Sequence, residues 1–174
     1  MDLTQISLPI GDIDLLERPN KSAFLSSRNM PDICRPAIKT WLDSLSPETD
    51  CVLCGNLQKV ESDVLNALVK RNIPTILVLD GPFPNMWPRN LVEAIGDRRL
   101  LAVTTSDFLL PWIDKYGMAD ARNRYMIANA EKVVIGFCRP GGQLHHQLEG
   151  VNVTVQVLTP YSPTLDNSEA GRRG

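Results

Sequence analysis

The sequence lacks what membrane spans, metal clusters and histidine-based catalysis require. No apolar run in its 174 residues approaches the roughly 20 needed to cross a bilayer. The start, Met1-Asp2-Leu3-Thr4, has neither the basic opening nor the apolar stretch of a secretory signal. A cytoplasmic protein with no membrane partner is therefore expected. There are only two histidines, so a serine or cysteine nucleophile has few bases to choose from, and no G-x-S-x-G elbow occurs. No residue is assigned as catalytic. Eighteen basic and 20 acidic residues leave a net charge of -2, so no global positive field draws nucleic acid from a distance. Any such binding has to come from a local patch.

Cysteine is also scarce: Cys34, Cys51, Cys54 and Cys138. Cys51 and Cys54 have C-x-x-C spacing, but they flank Val52 and Leu53 in what reads as a buried strand. Alternation sends positions three apart to opposite faces, so the two thiols do not share an ion. Small apolar core residues in a reducing compartment are expected instead. His145 and His146 are adjacent, with no third ligand at a suitable spacing. Neither a metal nor a cofactor is predicted.

What the chain does contain is a regular alternation of apolar strands and amphipathic helices. Residues 1–20 show no clean period and read as an N-terminal arm. Residues 159–174 are turn-rich and polar and read as a flexible tail. Between them, residues 21–158 form one domain. Strands are predicted at Ala23–Leu25, Asp50–Cys54, Thr75–Leu79, Leu100–Val103, Lys132–Phe137 and Val151–Leu158. Helices are predicted from Pro31 to Leu45, across Val60 to Val69, from Pro88 to Gly96 and from Met118 to Ala130. Continuous apolar strands separated by helices argue for an α/β, three-layer, Rossmann-like fold with a mainly parallel sheet of about six strands.

In such a sheet ligands bind beyond the carboxyl ends of the strands. Ser26-Ser27-Arg28 follows the first predicted strand, so two hydroxyls and a guanidinium share a small volume. Gly55-Asn56 follows the second. Pro140-Gly141-Gly142 follows the fifth, where consecutive glycines let a ligand approach the backbone closely. Arg122-Asn123-Arg124 sits on a predicted helix just before that strand. Two residues apart on a helix, the arginines point about 200° from one another, so only one of them faces a given site. The candidate phosphate-binding set is therefore Ser26, Ser27, Arg28, Gly55, Asn56, Arg122, Asn123, Arg124, Gly141 and Gly142. Asp80 ends the third strand, but the Rossmann glycine fingerprint is absent and Asp-Gly explains a turn equally well. Trp41 reads as core, whereas Trp87 and Trp112 lie in loops where an indole is able to stack on a base.

The order of these features resembles the bacterial-type DNA-processing protein A family of Rossmann-like recombination mediators. The resemblance runs over residues 22–158. Ala23 to Arg28 is similar to the family's first strand and its Gly-Ser-Arg or Cys-Ser-Arg turn, with Ser26 in place of the first residue, Cys54-Gly55 to its Ser-Gly turn, and Trp87-Pro88 with Asn90 to the aromatic-Pro segment after the third strand. Arg122-Asn123-Arg124 with Ile127 and Ala128 is similar to its Arg-Asn-Arg helix, and Pro140-Gly141-Gly142 to its glycine turn. The resemblance implies a non-catalytic protein that binds a nucleotide or single-stranded DNA through phosphate. It also implies a homodimer with a recombination protein as partner. The chain departs from the family at Cys54, which stands in place of serine, over Asn56 to Asp63, which lacks a Gly-Ile-Asp segment, and over Leu144 to Glu149, which leaves little room for a helix. A wider resemblance is to the nucleoside monophosphate phosphoribohydrolases, which share a Pro-Gly-Gly turn. There the expected Gly-Thr and glutamate are replaced by Gln143-Leu144-His145-His146. Hydrolysis and a nucleotide-derived ligand-sensing role are the alternatives.

Overall fold

The computed structural model describes residues 8–106 and 115–159. Trp112 and most of the predicted tail lie outside the described residues. Among the described residues the chain runs β1 (Ile10–Gly11), β2 (Lys21–Leu25), α1 (Arg35–Asp43), β3 (Cys51–Cys54), α2 (Lys59–Lys70), β4 (Thr75–Leu79) and α3 (Arg89–Gly96). It continues through β5 (Leu100–Thr104), α4 (Lys115–Ala128), β6 (Lys132–Ile135), α5 (Gln143–Leu148) and β7 (Thr154–Val157). The strands form one sheet in the order β1-β5-β4-β3-β2-β6-β7. Every pairing is parallel except that of β1 with β5.

Alternation along the strands divides the core into two layers. Phe24, Val52, Cys54 and Leu77 face α1, α2 and α3, where they meet Trp41, Leu68 and Leu91. Ala23, Leu25, Cys51, Leu53, Ile76 and Ile135 face the other way, onto Met126 of α4 and Leu144 of α5. This is the three-layer α/β arrangement read from the sequence. Cys51 and Cys54 fall on opposite faces, as the spacing requires. Burial raises the Cys51 thiol to about 11, and burial together with the Glu61 carboxylate pushes Cys54 well above the usual thiol range. Trp41 is a core residue, stacked on Phe24 with ring centroids 5.4 Å apart.

Two parts differ from the sequence-based expectation. Residues 10–17, read as part of an arm, belong to the folded domain: Ile10 and Gly11 pair with Ala102 and Leu101, and a 3-10 turn over Ile13–Glu17 buries Leu15 in the second core layer. The close approach explains Gly11, whose φ is +116° and whose Cβ would fall 2.2 Å from the Leu100 carbonyl oxygen. This antiparallel edge is the strand beyond the expected six. The segment after Gly142, predicted to leave little room for a helix, folds as the short helix α5 with Leu144 as its buried anchor.

Two outcomes follow from this packing. Leu15→Ala is expected to lower unfolding free energy in a urea titration by about 2–5 kcal/mol, whereas a residue in a detached arm would leave it unchanged. Iodoacetamide at pH 8 is expected to leave Cys51 and Cys54 unmodified in the native protein and to label both after denaturation, read by peptide mass spectrometry.

Candidate functional site

Strand order reverses between β2 and β6, since β3, β4 and β5 lie on one side of β2 and β6 and β7 on the other. The loops leaving the carboxyl ends of these two neighbours diverge there and open a crevice. The protein has a cavity of about 230 Å³ at this point. Ser26, Ser27, Arg28 and Asn29 line it from the β2 side, Arg139, Gly142, Gln143 and Leu144 from the β6 side, Leu57 and Gln58 from the approach to α2, and Ala119, Arg122 and Asn123 from α4.

Hydrogen bonds beyond the strand ends hold the rim in place. The Ser27 N–H donates to the Phe137 carbonyl at 2.7 Å, and the Ser27 hydroxyl accepts from the Arg139 N–H at 2.9 Å. Gln58 Nε2 donates to the Ser26 carbonyl at 3.2 Å. Asn29 turns the chain in the left-handed region at φ +55°, which asparagine tolerates better than most side chains. The first loop is thereby tied to both of its neighbours before any ligand arrives.

Beneath the cavity lies a buried ion pair. Arg122 Nη2 donates to Glu61 Oε1 at 2.8 Å and Nη1 to Glu61 Oε2 at 3.0 Å. The two side chains are 3% and 0% exposed. Glu61 also accepts from the Leu57 N–H at 2.6 Å and the Gln58 N–H at 3.3 Å, which closes the amino end of α2. Gly55 sits against this pair: a Cβ there would lie 2.4 Å from Arg122 Nη1 and 3.0 Å from Glu61 Oε2. The network runs on outwards. Asn123 Oδ1 accepts from Arg122, Asn123 Nδ2 donates to Gln147, Gln147 Nε2 donates to Asp120, and Arg124 Nε donates to the other oxygen of Asp120. Burial opposes ionisation of Asp120, but the hydrogen bonds from Arg124 and Gln147 outweigh it and hold the carboxyl below its usual range.

The predicted site residues thus divide. Ser26, Ser27, Arg28, Arg122, Asn123 and Gly142 line one cavity. Arg124 points away and pairs with Asp120 on its own helix, as the 200° separation demands. Gly55 lies under the Arg122 guanidinium, and Asn56 is exposed and accepts from the Ser62 hydroxyl at 2.5 Å. The Gly141 N–H is engaged by His145 Nδ1 at 2.8 Å. Trp87 packs against Phe83 and the core, and neither Trp87 nor Asp80 is among the residues that line the cavity. Asn29, Leu57, Gln58, Arg139 and Gln143 line the cavity but were not among the predicted site residues. Their place at the carboxyl edge is the signal that would have found them. The bond between Glu61 and Arg122 spans 61 positions, and no local pattern marks it.

No protein-family model matches the sequence, and no curated protein matches it significantly. Among solved structures, DNA processing protein A from Helicobacter pylori, described for its single-stranded DNA binding mode, superposes with a TM-score of 0.65 at 19% identity, covering 94% of this chain and 78% of its own. The fold is that of DNA processing protein A. The same protein from Streptococcus pneumoniae superposes with a TM-score of 0.65 at 15% identity over 94% of this chain. This chain spans 60% of the Streptococcus protein's length.

Removing one member of the buried pair leaves the other charged and unpaired. Glu61→Ala is expected to destabilise the protein by about 3–5 kcal/mol, measured by denaturant unfolding. In a double-mutant cycle, Arg122→Met added to Glu61→Ala is expected to restore part of that loss, because no orphaned charge then remains.

Proposed function

We propose that this protein binds single-stranded DNA through its phosphates at the cavity between the β2 and β6 loops, and performs no chemistry on the strand. The observation that carries this reading is the character of the lining: Arg28, Arg122 and Arg139 contribute to it, and among the described residues no carboxylate does. Charge-assisted bonds from guanidinium to phosphate are the stronger class of hydrogen bond, and arginine matches phosphate geometry with its planar fork. Ser26, Ser27, Asn123 and Gln58 add neutral polar groups to the same lining. The likeness of the fold to a Helicobacter pylori protein described as binding single-stranded DNA supports the same reading.

Arg28 and Arg139 reach the cavity from the ends of the two adjacent strands and meet the ligand there, whereas both oxygens of Glu61 engage the Arg122 guanidinium from below. Arg122 acts as a neutralised wall. A phosphoribohydrolase needs an ionised acid at the sugar. The nearest acid beneath the cavity, Glu61, is fully engaged by Arg122 and two backbone N–H groups, so binding is the better reading. The proposal extends to a homodimer that passes the strand to a recombination protein, as the family resemblance implies.

Arg28 is exposed at the rim. Arg28→Glu is expected to abolish binding of a fluorescein-labelled oligothymidylate in an anisotropy titration while leaving the melting temperature nearly unchanged. For the native protein the logarithm of affinity is expected to fall linearly with the logarithm of salt concentration, by about 0.7 per phosphate neutralised. A matching loss of fold and binding in the variant would make Arg28 a structural arginine instead.

A further inference from the structure

A second space adjoins the cavity. It measures about 500 Å³, and Arg28 and Leu57 are among the residues that line both, so the two are contiguous. The cavity itself, at about 230 Å³, is below the roughly 300–1,000 Å³ that pockets for whole small-molecule ligands occupy. It accommodates part of a nucleotide, and the rest of a strand has to leave it somewhere.

The neighbouring groove has the chemistry to receive it. Arg35 and Lys59 line it in addition to Arg28, with Met30 as apolar surface. Arg35 pairs with Asp32 and Asp63, and Lys59 pairs with Asp63 at 3.0 Å, but neither carboxylate is among the lining residues. The Lys59 side chain is 78% exposed, and an ion pair so open to water holds its lysine only weakly. Leu57 is 45% exposed, a large apolar side chain between the two spaces with amides and cations around it. Such a residue contributes little to the core and offers an apolar contact at the point where a strand would cross from one space to the other.

We propose that the groove lined by Arg28, Arg35 and Lys59 is a second nucleotide subsite, which takes the residue next in the strand to the one in the cavity, with Leu57 against the base between them. This rests on the single-stranded DNA reading above and makes the preferred ligand an oligonucleotide instead of a mononucleotide. The strand leaves the cavity over the amino ends of α1 and α2, away from the acidic Asp120 side.

Competition of thymidine 5′-monophosphate, (dT)2 and (dT)4 against labelled (dT)8 tests the subsite on the full chain. Affinity is expected to rise from the monophosphate to the longer ligands, since only a ligand with more than one nucleotide reaches both spaces. Lys59→Glu is expected to weaken (dT)8 about five-fold or more and to lower the salt slope by about 0.7, while monophosphate competition stays as in the native protein. Leu57→Ser is expected to weaken (dT)8 without altering the slope, and Lys59→Glu decides the matter should that variant fail to fold. If (dT)8 binds the native protein and is lost in Arg28→Glu, yet both groove variants behave as the native protein, the subsite is wrong and the binding reading stands. If (dT)8 does not bind the native protein at all, both fall together.

Discussion

The ion pair between Glu61 and Arg122 crosses the sheet. Glu61 opens α2, which packs on one core layer, and Arg122 belongs to α4, which packs on the other. The two meet over the carboxyl end of β3, at the one residue whose missing side chain lets them do so, Gly55. Each carboxylate oxygen is fully used: Oε1 by the guanidinium, Oε2 by the guanidinium and by two backbone N–H groups. Desolvating two charges is costly, and only this degree of satisfaction compensates for it. The pair sets where α2 begins, how α4 lies above the sheet and, through Asn123 and Gln147, where α5 packs.

The floor of the cavity follows from that arrangement. With Arg122 paired to Glu61 from below, Arg28 and Arg139 line the opening from the ends of the two adjacent strands where the order reverses. In a chain with a net charge of -2, no carboxylate among the described residues lines the cavity: Asp12 and Asp14 pair with Arg98, Asp43 with Lys39 and Arg71, and Asp120 with Arg124. Within a Debye length of about 8–10 Å the local charge matters more than the total.

The short bonds between the first loop and the loop after β6 act at the same place. By anchoring Ser27 twice, to Phe137 and to the Arg139 backbone, they order the rim in advance and reduce the entropy a ligand would have to remove. The Ser27 oxygen accepts from the Arg139 N–H, and the hydroxyl keeps its own proton as a donor.

Most of the architecture was legible along the chain. Runs such as Thr75–Leu79 are β-branched and apolar throughout, and a strand buried on both faces needs nothing beyond its own composition to be recognised. The two-layer division of Cys51 and Cys54 is also a local consequence, since side-chain direction in a strand has a period of two. The β1 edge was not legible, because two residues carry no period and Gly11 owes its place to a carbonyl 89 residues further on. Nor was the fate of the arginines: helical geometry separates Arg122 from Arg124, but it does not say which of them meets Glu61. The layers, the order of elements and the end of the sheet where polar loops gather all follow from short-range periodicity and could be read along the chain. Which arginine meets Glu61 was settled by folding alone, because that pairing depends on contacts of about 3 Å between residues that the chain keeps 61 positions apart.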